Sequence, residues 1–244
     1  MTVAPTPLHG RHAPHRLPFA LGAVLVLALI AIAVVLLIRY EVFGGSSSSN
    51  SVQGSGVAAT QTRELERFSS VELAGSNNVV VHVGGKQSVV VHADDNLLRH
   101  VTTQVQAGNL IIGNTSGSFT TKSPMSVEVS VPSLEALTLT GSGVISTTGI
   151  KTASLTVRLS GSGVLRASGS ATRLDVSVGG SGDAQLEQLA ARDAHAVVSG
   201  SGRILVRATN SLDAAVPGSG AIIYSGNPAH VTTSITGNGA VTAG

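Results

Sequence analysis

The sequence predicts an all-β protein: a parallel β-helix, or solenoid, standing behind one N-terminal transmembrane helix. Three observations point there. First, a tripeptide recurs as Gly141-Ser142-Gly143, Gly161-Ser162-Gly163, Gly180-Ser181-Gly182, Gly200-Ser201-Gly202 and Gly218-Ser219-Gly220, and Gly237-Asn238-Gly239 closes the series. The steps between copies are 20, 19, 20, 18 and 19 residues, a period that marks stacked repeats. Second, apolar residues alternate with polar ones on both sides of each copy. Two positions before the first Gly stand Leu139, Leu159, Val178, Val198, Val216 and Ile235, and two past the last stand Ile145, Leu165, Ala184, Ile204, Ile222 and Val241. Period-2 alternation is the mark of a strand with one buried face. Third, residues 19–38 contain no charge.

Taken in chain order, residues 1–18 are a Pro- and His-containing tail, too short to fold alone. Residues 19–38 would span about 30 Å as a helix, the thickness of the hydrocarbon core. A cleaved signal peptide normally has a shorter apolar region, and Leu37-Ile38-Arg39-Tyr40 is a poor small-residue cleavage site. The chain has no Cys, which excludes a lipoprotein anchor. Arg11 and Arg16 precede the span, so the positive-inside rule places the N-terminus in the cytoplasm and the remainder outside the cell membrane. Residues 39–62, rich in Gly and Ser, read as a flexible linker.

From residue 63 the chain turns strand-like. Strands are expected at 78–83 and 88–93 around Gly84-Gly85-Lys86-Gln87, at 101–106 and 110–112 around Ala107-Gly108-Asn109, and at 125–131 before Pro132. Residues 63–133 are therefore the irregular first coils and the cap that a solenoid requires, and 134–244 are the regular coils. About 19 residues at roughly 3.3 Å each make a loop of about 60 Å, one coil of a parallel β-helix. Each Gly-Ser-Gly is read as a structural corner. Gly supplies backbone angles other residues avoid and leaves no Cβ in the way of the next coil, while the serines form a hydroxyl ladder.

Several chemistries are weighed and set aside. No copy completes G-x-G-x-x-G or leads into a helical pattern, so a phosphate cradle is not expected. His82 and His92 share a Val-Val-Val-His context and lie ten residues apart. They lack a convincing third ligand, although His100, Asp94 and Asp95 are near in sequence, so no metal is expected. Gly179-Gly180-Ser181-Gly182-Asp183 misplaces the Asp of the calcium-roll nonapeptide and occurs once. The repeat-region acids Asp175, Asp183, Glu187, Asp193 and Asp213 sit at different offsets from the glycines; Asp175 and Asp213 share one, two coils or roughly 10 Å apart. That exceeds the usual carboxylate separation of glycoside hydrolases. Neither catalytic residues nor a cofactor are expected. From Gly44 onward twelve Lys+Arg balance twelve Asp+Glu, so the basic balance belongs to the N-terminal tail. Aromatics are few, and no nucleic-acid partner is expected.

The repeated Leu155-x-Val157-x-Leu159-x-Gly-Ser-Gly pattern, the Pro132-Ser133-Leu134 entry and the closing Tyr224-Ser225-Gly226-Asn227-Pro228 element together carry a resemblance. From about Phe68 to the C-terminus the chain resembles the putative auto-transporter adhesin head GIN domain family, a bacterial domain of unknown function. The Gly-Ile-Asn-like signature falls at Gly75-Ser76-Asn77, with Ser in place of Ile. The resemblance implies a right-handed parallel β-helix in an extracytoplasmic setting, without catalytic residues. The expected function is adhesin-like binding or structural organisation, with the lipid bilayer (through residues 19–38) and an envelope polymer or another membrane protein as partners. The alternatives are a polysaccharide-active enzyme and a sensory ectodomain.

Overall fold

The structure, a computed structural model, describes residues 51–244. The expected tail, the membrane span and the first part of the expected linker lie outside the described residues. Among the described residues no helix is long and apolar enough to cross a membrane.

Among the described residues seventeen strands and one 3₁₀ turn follow one another. The N-terminal part comprises β1 (Val52–Gln53), β2 (Ala58–Thr62), β3 (Ser70–Ala74), β4 (Asn78–Val83), β5 (Ser88–Asp94), the 3₁₀ turn Leu98–His100, β6 (Val101–Gln106), β7 (Asn109–Asn114), β8 (Phe119–Thr120) and β9 (Ser126–Val131). The coils comprise β10 (Ala136–Leu139), β11 (Val144–Leu159), β12 (Val164–Val178), β13 (Asp183–Val198), β14 (Arg203–Val216), β15 (Ala221–Ser225), β16 (His230–Ile235) and β17 (Ala240–Ala243).

The coils stack in parallel register. Leu139 faces Leu159, Leu159 faces Val178, and Val178 faces Val198. Each of the long strands β11 to β14 contributes a first stretch after one corner and a last stretch before the next. On the first side lie β3, β10, the second halves of β11 to β14, and β16. On the second lie β4, the first halves of β11 to β14, then β15 and β17. The alternation of the sequence becomes columns of buried side chains: Leu137, Val157, Val176, Ala196 and Ala214 in one, Ile145, Leu165, Ala184, Ile204 and Ile222 in another. Unequal coil lengths are absorbed between these stretches, where the pairing shifts between Thr147 and Ile150, Arg166 and Gly169, and Leu186 and Ala190. The corners keep a constant register.

Why the corners are glycine is a matter of packing rather than torsion. None of the twelve corner glycines has a positive φ, which corrects half of the sequence-based argument. What excludes a side chain is the coil beneath. A Cβ on Gly161 would stand 1.9 Å from the Gly141 carbonyl oxygen, one on Gly163 2.2 Å from that of Gly143, and one on Gly200 2.1 Å from that of Gly180. The expected serine ladder is also different. Ser142, Ser162, Ser181, Ser201 and Ser219 are exposed, and the rungs are backbone bonds, such as the Ser181 and Ser201 amides donating to the carbonyls of Gly161 and Gly180.

The first corner, Gly75-Ser76-Asn77, shows the rule by exception. No coil lies beneath it, and the third position is a buried Asn. Within 63–133, β3, the first corner and β4 follow the two sides of the coils, and the remaining strands depart from the repeat. Strands β6 and β7 form an antiparallel hairpin whose β7 continues the first side beyond β3; its turn is Ala107-Gly108, with φ of 48° and 76°. On the second side β9 inserts between β4 and β5, parallel to the first and antiparallel to the second. The two strands expected around Gly84 are thus formed, but each pairs with β9 and not with the other.

The expected linker boundary at residue 62 moves as well. Strand β2 pairs antiparallel with β5, from Ala58 with Asp94 to Thr62 with Val90, and β1 pairs with β8. Residues 52–62 are thus part of the folded unit. Asp94, 0 % exposed, is the reason they are held. Its carboxylate accepts the backbone N–H groups of Gly56 (3.0 Å), Lys122 (2.9 Å) and Ser123 (3.2 Å) and the Ser123 hydroxyl (2.8 Å). These donors, the Lys122 amide foremost, hold the Asp94 pKa below the ordinary carboxylate value against the opposing effect of burial.

Candidate functional site

The second side of the N-terminal part presents a five-strand face in the order β2, β5, β9, β4, β11. Alternation points Thr60, His92, Ser126, Glu128, Val80 and His82 to its outer surface, where a hollow of about 620 Å³ opens. Its lining combines apolar groups (Ala58, Ala59, Val80, Pro124, Val127) with Thr60, Ser123, Ser126 and the two histidines about Glu128.

The register explains this trio. Glu128 lies opposite Val80 on one neighbouring strand and Val90 on the other, while His82 lies opposite Ser130 and His92 opposite Ser126. The histidines therefore occupy diagonal corners around Glu128. Each reaches back to it: His82 Nε2 is 3.8 Å from Oε1 and His92 Nε2 3.8 Å from Oε2. With strands about 4.8 Å apart and residues about 3.3 Å apart, the two histidine backbones are roughly 16 Å from one another. Two diagonal imidazoles with a carboxylate between them do not converge on one ion. Among the described residues no group of three His, Cys, Asp or Glu is close enough to hold a metal. The arrangement instead offers donors and acceptors across the middle of the face, beside the apolar groups of the hollow. Glu128 is 52 % exposed, so its pairing with either histidine is worth little on its own. Sequence reasoning singled out the histidines and missed Glu128, although its place in Ser126-Val127-Glu128-Val129-Ser130 already made it outward-facing.

The first side carries a second polar row. Asp175 pairs with His195 and His195 with Asp213 on three successive coils, and His195 Nδ1 lies 3.2 Å from Asp213 Oδ2. All three stand five residues before a corner glycine, so the row was legible in the sequence once His195 was counted with the acids. Beside it, Asp193 accepts hydrogen bonds from Ser211 Oγ and Asn210 Nδ2, both at 2.6 Å. Those bonds, with Arg192 and Arg173 nearby, hold its pKa below the ordinary carboxylate value. Asp183 is tied to Arg203 at 2.9 Å. The remaining expected acid of the repeat region, Glu187, is placed apart from these rows on β13. Asp183, Asp193 and Asp213 are thus engaged by lateral partners, and no Ser or Thr hydroxyl is hydrogen-bonded to His195 among the described residues.

A family model described as "Putative auto-transporter adhesin, head GIN domain" matches residues 67–228, and the chain belongs to that family. Among solved structures it is similar to a "putative adhesin" from Bacteroides fragilis, with 22% identity, a TM-score of 0.65 and coverage of 79% of this chain and 99% of the other. It is also similar to a "putative lipid binding protein" from Parabacteroides distasonis, with 20% identity, a TM-score of 0.51 and coverage of 80% and 100%. At these identities the likeness is one of fold. No functionally curated protein matches the sequence.

Proposed function

We propose that this member of the head GIN domain family is a membrane-anchored, extracytoplasmic binding module without catalytic activity of its own. Residues 19–38 are the bilayer anchor, the N-terminus is cytoplasmic, and the solenoid is displayed outside. The coils wind right-handed, the hand that twisted parallel strands favour in their crossovers. The partner is a cell-envelope polymer, or a membrane protein of the envelope.

The observation that carries this reading is the trough on the five-strand face. It is open along the sheet rather than enclosed, and its lining sets Ala58, Val80 and Pro124 beside Thr60, Ser126, His82, His92 and the central Glu128. Such a surface suits an extended chain laid across strands, with apolar contact and hydrogen bonds side by side. The adhesin-type family supports the same reading.

The full-length chain in lipid nanodiscs is mixed with purified cell-wall material, sedimented, and the supernatant assayed for released sugar. Co-sedimentation that falls at least fivefold in Glu128→Ala, with no sugar released, is the expected result. Binding unaffected by Glu128→Ala moves the site off this face. Released sugar replaces the binding reading with the enzymatic one and directs attention to the Asp175–His195–Asp213 row.

A further inference from the structure

A second hollow, of about 640 Å³, lies where the first corner meets the segment around β8. It is distinct from the trough in chemistry. None of its lining residues carries a charge; Asn77, Asn78, Asn114 and Ser118 supply amides and a hydroxyl, and Phe119 and Met125 supply apolar surface.

Three features make it a built site. Asn77 is only 4 % exposed, yet it occupies the place where every later corner has Gly. An amide has been set there because no coil lies below to exclude it. Asn77 and Asn114 also exchange hydrogen bonds: Asn77 Nδ2 donates to Asn114 Oδ1 at 2.9 Å, and Asn114 Nδ2 donates to Asn77 Oδ1 at 3.3 Å. Each carboxamide has two N–H donors and two acceptor lone pairs. The reciprocal pair consumes one of each and locks both side chains. One donor and one acceptor per amide remain for a ligand, at fixed positions. Finally, the Phe119 ring lines the hollow and is backed by His100, whose ring centroid is 4.8 Å away at 42°. His100 is itself held by Thr115 at 2.9 Å.

A neutral donor–acceptor pair beside an aromatic face matches one class of ligand. Vicinal sugar hydroxyls each donate and accept, and the C–H face of a pyranose packs on an aromatic ring. The absence of charge from the lining disfavours anionic ligands, whose desolvation nothing here would offset. We propose that the Asn77–Asn114–Phe119 hollow binds a neutral saccharide unit. The site does not depend on the trough, although it gives the binding module a specificity element of its own.

The test is saturation-transfer NMR on the full-length chain in nanodiscs, with empty nanodiscs as blank. The probes are neutral tetrasaccharides of β-1,4-linked N-acetylglucosamine, glucose, mannose and galactose, with tetragalacturonate as the acidic contrast. Transfer to at least one neutral probe is expected, and Phe119→Ala should weaken it at least tenfold. Phe119→Tyr, which keeps the ring, should restore it. An unchanged melting temperature in Phe119→Ala excludes a folding defect as the cause; if the variant is destabilised, Phe119→Tyr against Phe119→Leu decides instead. No transfer to any neutral probe, transfer only to the acidic one, or transfer that survives loss of the ring overturns the proposal. A chain that sediments with wall material through Glu128 yet shows no transfer fails this inference alone.

Discussion

Gly54-Ser55-Gly56 near the start of the folded unit and Gly161-Ser162-Gly163 among the coils are the same three residues in two physical situations. In the coils the tripeptide is passive. It removes Cβ atoms so that one corner lies on the next, and a methyl group on Gly161 would sit 1.9 Å from a carbonyl oxygen. At the N-terminal end the tripeptide is gripped. A Cβ on Gly54 would meet Asp94 Oδ2 at 2.0 Å, the Gly56 amide donates to Asp94, and the Ser55 amide donates to Asn96 at 2.9 Å. The coils are held by repetition, each by its neighbour. The N-terminal part lacks that repetition, and besides its strand pairing one buried carboxylate ties Gly56, 38 residues before it, to Lys122, 28 residues after it. Damage should therefore spread differently in the two regions.

The largest effect is expected at a corner. Gly200→Leu forces a side chain onto the Gly180 and Gly179 carbonyls, which a Cβ alone would approach to 2.1 and 2.5 Å. Overpacking of this kind costs about 3 kcal/mol, lowering the melting temperature by roughly 6–12 °C in a domain of this size. The neighbouring Gly179→Ala is the control. Its Cβ would meet only Ser199 Oγ, at 3.7 Å, and a shift within about 2 °C is expected. Equal shifts in the two thermal melts would remove the distinction between a packed corner and a merely flexible one.

Next in size is the carboxylate grip. Asp94→Asn leaves the buried volume filled but removes the charge that three backbone amides and a hydroxyl converge on. Hydrogen exchange of β2 should accelerate at least tenfold while β12 and β13 keep their protection. Acid should do the same to the unaltered chain. Because the Asp94 pKa is lowered in the fold, its contribution to stability is fully present above the unfolded value, near 3.9, and is lost as pH falls through the lower folded value. Protection of β2, taken against intrinsic exchange at each pH, should thus fall below about pH 4 in the wild type and respond much less to pH in Asp94→Asn. If β2 and the coils lose protection together, the two regions are one cooperative unit.

The smallest effect belongs to the exposed row on the first side. His195 is 46 % and Asp213 60 % exposed, and isolated exposed pairs contribute about 0–1 kcal/mol. Asp213→Ala should shift the melting temperature by less than about 3 °C. A larger fall would mean that lateral pairs, and not only the buried columns, hold coil to coil.

Much of this was legible in the sequence. The period of the tripeptide and the alternation around it identify the coils, their facing columns and their corners, because each coil repeats the same local constraints on the coil beneath. Glu128 and His195 were legible too, from alternation and from a shared offset, had each been counted with its neighbours. Other features were not. The insertion of β9 between β4 and β5 defeats a local reading, since a glycine turn between two alternating segments looks like a hairpin whatever strand later enters the gap. The folding of residues 52–62 onto β5 is equally hidden, because a Gly/Ser-rich composition describes a tether until a distant carboxylate captures its amides. The pairing of Asn77 with Asn114 joins residues 37 positions apart.

The sequence by itself therefore determined the repeat, the buried columns and the exclusion of Cβ atoms at the corners, all set by contacts between equivalent positions one period apart. The tertiary structure alone decided how the N-terminal segment is locked and where the two hollows form. Those depend on contacts with no period, in which a single side chain such as Asp94 or Asn77 acquires its role only from the backbone that another part of the chain brings to it.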